Sequence, residues 1–325
     1  MRSLVTGGAG FIGSHLVEHL LQRGERVFVL DDFSSGQADN LEHLAGSDDL
    51  RLIRGSVLDA ELVDDLVGTC DVVYHLAAAV GVAMINERPL ESLRINIHGT
   101  ENVLESAAAR GTPILFASTS ETYGKNYDVP LGEQHDRVLG SSWKSKWSYA
   151  EAKAIGEFMA YSLWRCSGLP AVTVRLFNTV GPRQTGRYGM VVPRFVDQAL
   201  AGDDLTVYGD GEQSRCFGHV DDVVPAIAAL VTLPEAQGKA VNLGGSEETT
   251  IRDLARRVIA LTGSSSGIVH VPYDEAYLPG FEDVRRRVPD TRLARDLVGF
   301  APRHDLDAII TSVADAHRRR APAMS

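Results

Sequence analysis

Short apolar runs alternate with stretches of helical periodicity through the first half of the chain. Leu4-Val5 opens a strand from about Ser3, helical spacing follows to Arg23, and Glu25 to Leu30 reads as a second strand ending in Asp31-Asp32. Leu50 to Arg54 is a third strand. A helical stretch then runs from Asp59 through Val67, and Val72 to Ala78 is a fourth strand. Leu90 to Arg110 has helical periodicity and Pro113 to Ser118 is the next strand. Strands alternating with helices in this way predict an α/β fold with a parallel, doubly wound sheet, whose ligands sit at the carboxyl ends of the strands.

The turn after the first strand, Thr6-Gly7-Gly8-Ala9-Gly10-Phe11-Ile12-Gly13, changes that picture from fold to chemistry. Its glycines allow a tight turn, close backbone approach to a pyrophosphate, and close packing of helix on strand. The helix starting near Phe11 and Ile12 would aim free N–H groups and its dipole at the phosphates. Asp31, with Asp32 beside it, ends the strand–helix–strand unit where a carboxylate accepts from the adenosine ribose and repels a 2′-phosphate, which favours NAD over NADP. Leu76-Ala77-Ala78 provides small residues where backbone can approach the cofactor, and Asp59 is a helix N-cap with a second candidate role near the adenine. His75, one histidine on an apolar strand, reads as a core residue.

Candidate chemistry follows Thr119. Thr119-Ser120-Glu121 leads into a polar loop extending to about Trp143, which reads as a lid or substrate loop. Helical patterning resumes at Lys146, and Tyr149 and Lys153, four apart, share one face. Beyond Arg175 the pattern becomes irregular, with Gly, Pro and Arg. The expected organisation is a dinucleotide-binding unit over 1–175, with segments near 217–245 returning to it, and a mainly substrate-binding unit over 176–325. Arg183, Arg215, Arg285 and Arg287 form a candidate clamp for a second phosphorylated ligand.

Composition narrows the partners. The 325 residues carry a net charge of −11, which leaves no basic surplus for nucleic acid or an acidic membrane, so neither partner is expected. Cys70, Cys166 and Cys216 have no metal-ligand spacing, so no metal site is expected and a reducing cytoplasm is the default. A strand beginning at Ser3 leaves no room for a signal peptide, and no apolar run reaches the ~20 residues of a membrane span.

With the glycine turn, Thr119 and Tyr149-x-x-x-Lys153 in order, the chain resembles the extended short-chain dehydrogenase/reductases that modify nucleotide sugars, from about Ser3 to Pro302. The resemblance implies a Rossmann-type sheet with a smaller α+β substrate-binding domain. It also implies a tightly held NAD that oxidises a sugar carbinol, usually at C4, and is regenerated in the same site. A nucleotide-diphosphate sugar is the implied substrate, a UDP-sugar being favoured. A homodimer through the helix bearing Tyr149 and the one near Leu90 to Arg110 is implied as well. Tyr149 is then the general base, its phenol lowered from near 10 by the Lys153 ammonium and the nicotinamide cation. Thr119 orients the reacting hydroxyl, and Lys153 also holds the nicotinamide ribose. Asn178 and Arg215 resemble diphosphate contacts, Val192 lies in the segment that receives the base, and Ser120 lies beside the sugar.

The reaction turns on Glu121 and Arg287. Thr119-Ser120-Glu121 resembles dehydratases and hexuronate decarboxylases, and Arg287, in Arg-x-Pro-Asp, resembles the arginine that UDP-glucuronate decarboxylases direct at the substrate carboxylate. Asp283-x-Arg285 and the run from Asn178 to Phe195 resemble nucleotide-sugar epimerases, and the Ala77 to Pro89 segment lacks the Pro- and Tyr-bearing loop of the decarboxylases. The expectation is a C4 epimerase, with decarboxylase and then 4,6-dehydratase as alternatives. A non-turnover NAD-sensing regulator is disfavoured, because the Tyr-Lys pair is present.

Overall fold

A computed structural model describes residues 1–81, 88–186, 190–276 and 284–320. The first strands are β1 (Arg2–Thr6), β2 (Arg26–Asp31), β3 (Leu50–Arg54), β4 (Val72–His75), β5 (Ile114–Thr119) and β6 (Ala171–Leu176). After β7 (Thr179–Val180), β8 (Leu205–Tyr208), β9 (Ser214–Cys216) and β10 (Gly218–His219), β11 (Ala240–Leu243) returns to them. Together they make a seven-stranded sheet ordered β11-β6-β5-β4-β1-β2-β3, with every neighbouring pair parallel. Strand order reverses between β1 and β4, and the crevice of a doubly wound sheet opens at such a switch point.

Apolar residues on successive β1 positions serve opposite faces, as the period of a strand requires. Val5 joins a cluster with Leu16, Val17 and Leu20 of α1 (Phe11–Gln22) and Val223 and Ile227 of α7 (Val220–Leu230). Leu4 joins Val63 and Val67 of α2 (Ala60–Thr69) and Val103, Leu104 and Ala107 of α4 (Thr100–Arg110). Both faces of the sheet are thereby covered, which is why its strands read as continuous apolar runs. A third cluster joins α6 (Val191–Ala201), α8 (Ile251–Thr262) and α10 (Leu306–Arg320) beside the paired strands β8 and β13 (Ile268–Val271). Among the described residues no helix is long and apolar enough to cross a membrane.

Three local expectations need correction. The helix expected over Leu90 to Arg110 is broken into α3 (Pro89–Arg94), a π turn (Ile95–Gly99) and α4. Gly99, which ends the π turn, packs closely on the segment before α2, since a Cβ there would lie 2.5 Å from Val57 Cγ2. Asn96 in the π turn both accepts from Ala79 N and donates to Ala79 O at 3.0 Å, which fixes the loop after β4. That strand stops at His75, and Leu76 to Ala78 continue as loop.

The long segment after Tyr123 lines no part of the main cavity up to Lys146, so it is not a lid over it. It packs instead against the chain's later course, with Leu131 N donating to Val288 O at 2.8 Å and Asp290 N to Leu131 O at 3.0 Å. Leu131 is buried with Tyr123 and Phe177, which anchors this loop as a buttress for the strand that carries Arg287.

Candidate active site

One cavity of about 560 Å³ opens along the carboxyl ends of β1, β2, β4, β5 and β6. Its floor is the glycine turn. Gly7 has φ +71°, and a Cβ there would sit 2.7 Å from Ala77 N, while at Gly13 it would sit 2.1 Å from Gly7 O. These two glycines therefore let backbone segments touch. Gly10 differs, since within 4 Å its Cβ would meet only Gly7 O, at 3.1 Å, which leaves room above it. Phe11 and Ile12 start α1 with no capping side chain and no acid in the first turn. That unshielded helix start over an open glycine fits a diphosphate.

Asp31 closes the far wall. Ala9 N donates to its Oδ2 and Phe33 N to its Oδ1, each at 2.9 Å. Burial pushes its carboxyl above the ordinary aspartate range, and the two N–H groups oppose that push. Asp32, Leu76, Ala77 and Ala78 also border the cavity. Asp59 does not. It is exposed and accepts from Leu62 N at 3.1 Å as the N-cap of α2, while Val57, two residues earlier, lines the cavity in the position expected for Asp59. His75 is a core residue, held between Thr6 Oγ1 at 2.7 Å and Thr100 Oγ1 at 3.1 Å, and burial lowers it to about 3.

At the other end of the cavity, β5 finishes in Thr119 and turns tightly through Ser120–Tyr123. Thr119 Oγ1 accepts from Glu121 N at 3.2 Å, which turns the Glu121 side chain toward the cavity. Tyr149 and Lys153 project into the same space from α5 (Lys146–Ser167), and Lys153 Nζ donates to Ala117 O at 2.8 Å. Arg287 enters from β14 (Arg286–Arg287), which pairs with β9, and its Nη1 donates to Glu121 Oε1 at 2.7 Å. Glu121 is held down to about 2 against its own desolvation, chiefly by the Arg287 charge, with Lys146 and Arg215 adding to it.

The protein's own groups act on the Tyr149 phenol in the opposite sense to the expected nicotinamide cation. Burial, reinforced by the Glu121 carboxylate, pushes its phenol well above the tyrosine range. Burial also drives Lys153 down to about 7, with Glu157 opposing. The chain's own groups thus do not lower the phenol, and Lys153 is itself close to losing its proton.

The expected arginine clamp is smaller than the sequence pattern allows. Arg215 and Arg287 line the cavity with Asn178 and Val192. Arg183 borders it too, but its guanidinium is drawn aside by Glu18 at 2.5 Å and Ser14 Oγ at 3.3 Å on α1. Arg285 lies outside it, 62% exposed and paired with Asp210 at 2.7 Å. Arg285 precedes the two-residue strand β14 and is held out by Asp210, and within the strand Arg286 is exposed and pairs with Glu248 while Arg287 is turned inward. Asp283, part of Ala77 to Pro89, and part of the run from Asn178 to Phe195 lie outside the described residues. Sequence reasoning did not single out Lys146, Arg194 or Tyr208, which also border the cavity. The Arg194 guanidinium lies 4.0 Å from the Tyr208 ring centre, and no spacing pattern marks that pair.

A glycine cradle for a diphosphate, facing a helix-borne tyrosine and lysine across the switch point of a doubly wound sheet, defines a dinucleotide-dependent enzyme of the short-chain dehydrogenase/reductase type. More narrowly, the chain belongs to the NAD dependent epimerase/dehydratase family, whose model matches residues 3–244, and its cofactor is NAD. It is 43% identical over 302 residues, 93% of this chain and 92% of the other, to a UDP-N-acetyl-alpha-D-glucosaminuronate decarboxylase of Bacillus cytotoxicus. It is 37% identical to UDP-glucuronic acid decarboxylase 1 of Xenopus tropicalis, over 93% of this chain and 68% of that one. Among solved structures it is similar to a UDP-glucose 4-epimerase of Thermotoga maritima, with 31% identity, a TM-score of 0.87, and 98% and 99% of the two chains covered. A UDP-glucuronic acid 4-epimerase of Bacillus cereus aligns at 28% identity and a TM-score of 0.88, over 98% and 99% of the chains.

Proposed function

We propose that the protein decarboxylates a UDP-hexuronate in a redox-neutral cycle through a 4-keto sugar. The observation that carries this reading is the buried Arg287 paired with Glu121 in the cavity that holds Tyr149, because epimerisation of a neutral sugar at C4 needs no cation there. The similarity to two hexuronate decarboxylases supports it, and it moves decarboxylation ahead of the C4 epimerisation expected from sequence.

When bound, NAD supplies the reversible hydride acceptor for the sugar carbinol and a positive charge that favours the Tyr149 phenolate. Tyr149 removes the C4 hydroxyl proton, and Thr119 holds that hydroxyl in line. Arg287 takes the C6 carboxylate, a charge-assisted contact that orients it. Once C4 is a ketone, the C6 carboxylate belongs to a β-keto acid. The C5–C6 bond then breaks, its electron pair moves toward the C4 oxygen, and carbon dioxide leaves. Tyr149 in its protonated form stabilises the resulting enolate oxygen until C5 takes up a proton, with Glu121, released as Arg287 turns to the substrate carboxylate, as the candidate relay. Return of the hydride to C4, with the Tyr149 proton going back to the C4 oxygen, would close the redox-neutral cycle. Asn178 and Arg215 hold the diphosphate. Gly7, Gly10 and Gly13, with the Phe11 and Ile12 amides, Asp31, Asp32 and Leu76 to Ala78, hold the cofactor.

The same reading includes a homodimer. Ile155, Phe158 and Tyr161 are 40%, 64% and 46% exposed along α5, and Leu90 on the neighbouring α3 is 69% exposed, which is apolar surface suited to a second copy.

Incubation with UDP-glucuronate, UDP-N-acetylglucosaminuronate, UDP-glucose and the corresponding ADP-, GDP- and dTDP-sugars, followed by mass spectrometry, tests the reaction. Loss of carbon dioxide from a hexuronate is the expected result. A new isomer of unchanged mass makes it an epimerase, and loss of water makes it a dehydratase.

A further inference from the structure

A buried ion pair that this chemistry does not use lies against the reactive turn. Arg175 on β6 forks onto Glu157 of α5, Nη2 to Oε2 at 2.6 Å and Nε to Oε1 at 3.0 Å, with the two side chains 10% and 12% exposed. Ser118, the residue before Thr119, donates its hydroxyl to Glu157 Oε1 at 2.5 Å. On its other edge Arg175 Nη1 donates to Tyr123 Oη at 2.9 Å and to Glu133 O at 3.0 Å. Tyr123 ends the turn that carries Ser120 and Glu121, and its hydroxyl donates to Asn242 Oδ1 on β11 at 2.8 Å.

One ion pair therefore holds both ends of the segment from Ser118 to Tyr123. The sheet register sets this up, since Ser118 lies opposite Arg175 and Thr119 opposite Leu176. The helix adds the third side, because Glu157 stands one turn beyond Lys153, whose ammonium grips Ala117 O. A buried Arg–Glu pair is seldom a net gain in stability over apolar residues of similar size. Its use at this point is better explained by geometry and charge.

We propose that Glu157 and Arg175 are positioning residues of the active site, which lock the segment bearing Thr119 and Glu121 and hold a fixed negative charge one helical turn from Lys153. The groups facing Lys153 are His75 from β4, the Phe116 ring of β5 at 4.8 Å, and Tyr149 and Glu157 on its own helix. His75 is neutral across the working range, so Glu157, with Arg175 on its far side, is the anion that opposes the desolvation of Lys153. The activity assay below rests on the proposed enzyme class, but the titration does not.

The test uses the NAD-loaded enzyme carrying Glu157→Gln, with the Lys153 side-chain carbon followed by NMR and its signal identified by its loss in Lys153→Arg. The Lys153 midpoint is expected to fall by about one pH unit, and Glu157→Asp, which keeps the charge, to restore it. The ratio of wild-type to Glu157→Gln kcat should widen about fivefold between about pH 6 and about pH 8.5, with KM unchanged. A merely structural residue would lower kcat by the same factor at every pH. An unmoved midpoint with a constant ratio overturns the proposal. Should Glu157→Gln fail to fold, Ser118→Ala keeps the charge and frees the turn. Its kcat is expected to fall while the midpoint stays, and wild-type kcat in that variant overturns the proposal. An enzyme that turns over no hexuronate would sink the reaction assigned above and leave the Lys153 titration to decide this point.

Discussion

Arg287 and Glu121, 166 residues apart in the chain, meet at 2.7 Å with the guanidinium almost wholly buried and the carboxylate partly open to the cavity. The asymmetry has a chemical meaning. Arg287 cannot return to water without dismantling the β14 pairing, whereas Glu121 can yield its place to another carboxylate. The buried Arg287 is a cation already desolvated, so a substrate carboxylate that replaced Glu121 would meet it without a further desolvation cost on the protein side.

Replacing Arg287 with Met removes that cation at similar volume. Carbon dioxide release from the preferred hexuronate is expected to fall about ten- to a hundredfold, the range of a lost charged hydrogen bond. Rates followed by trapped labelled carbon dioxide check this, and an unchanged rate would remove Arg287 from the chemistry.

Tyr149→Phe deletes the phenolic proton carrier and leaves the ring packing. Turnover of every nucleotide sugar should drop by about 10²- to 10⁴-fold while NAD is still retained. Product formation and bound nucleotide, measured on the same preparation, separate the two effects.

Asp31→Ala should weaken NAD binding by about ten- to a hundredfold, since a carboxylate acceptor is lost at the end of β2. The measurement is calorimetric titration of enzyme stripped of nucleotide. Gly13→Ala should be harsher, because the new Cβ would meet the backbone oxygen of Gly7 at 2.1 Å and neither segment can give way. A loss of ~1–3 kcal/mol of stability or more is expected, with NAD binding abolished, read from denaturant unfolding and nucleotide retention.

Lys153 gives a pH-dependent stability of definite sign. Its folded value, about 7, is below the ordinary lysine value of 10.5, so between these the unfolded chain binds more protons. The burden on the fold is complete below about pH 7 and is relieved as pH rises toward 10.5. Lys153→Met should therefore raise the melting temperature most in neutral-to-acid buffer, with the advantage shrinking through alkaline pH. A constant or growing advantage would contradict the lowered value.

The sheet was legible because its strands are buried on two faces, so Leu4-Val5 and Val72-Val73 stand out as apolar runs, and the glycines and the Tyr149–Lys153 spacing sit at fixed offsets from them. What escaped detection depends on residues brought together by topology. Glu157 reads as one more helical acid until β6 sets Arg175 beside it. Asp59 looks equivalent to Val57 until the turn before α2 decides which faces inward. Arg285 and Arg287 would share a face in a regular strand, but the strand begins only at Arg286, and a two-residue strand is too short to show where its pattern starts. The burial that raises Tyr149 and lowers Lys153 was not legible either, because spacing carries no information about desolvation.

β14 is the last strand of the chain, and its partner β9 is tied in turn to β12 (Glu248–Thr250), outside the main sheet. Arg286 pairs with Ser214 over about the same chain separation as Ser3 with Val72, so contact range alone does not order the two walls of the cavity. The nucleotide cradle is built from the first 31 residues and the loop after β4. On the growing chain those residues are therefore made well before Arg287, the residue assigned the choice of reaction.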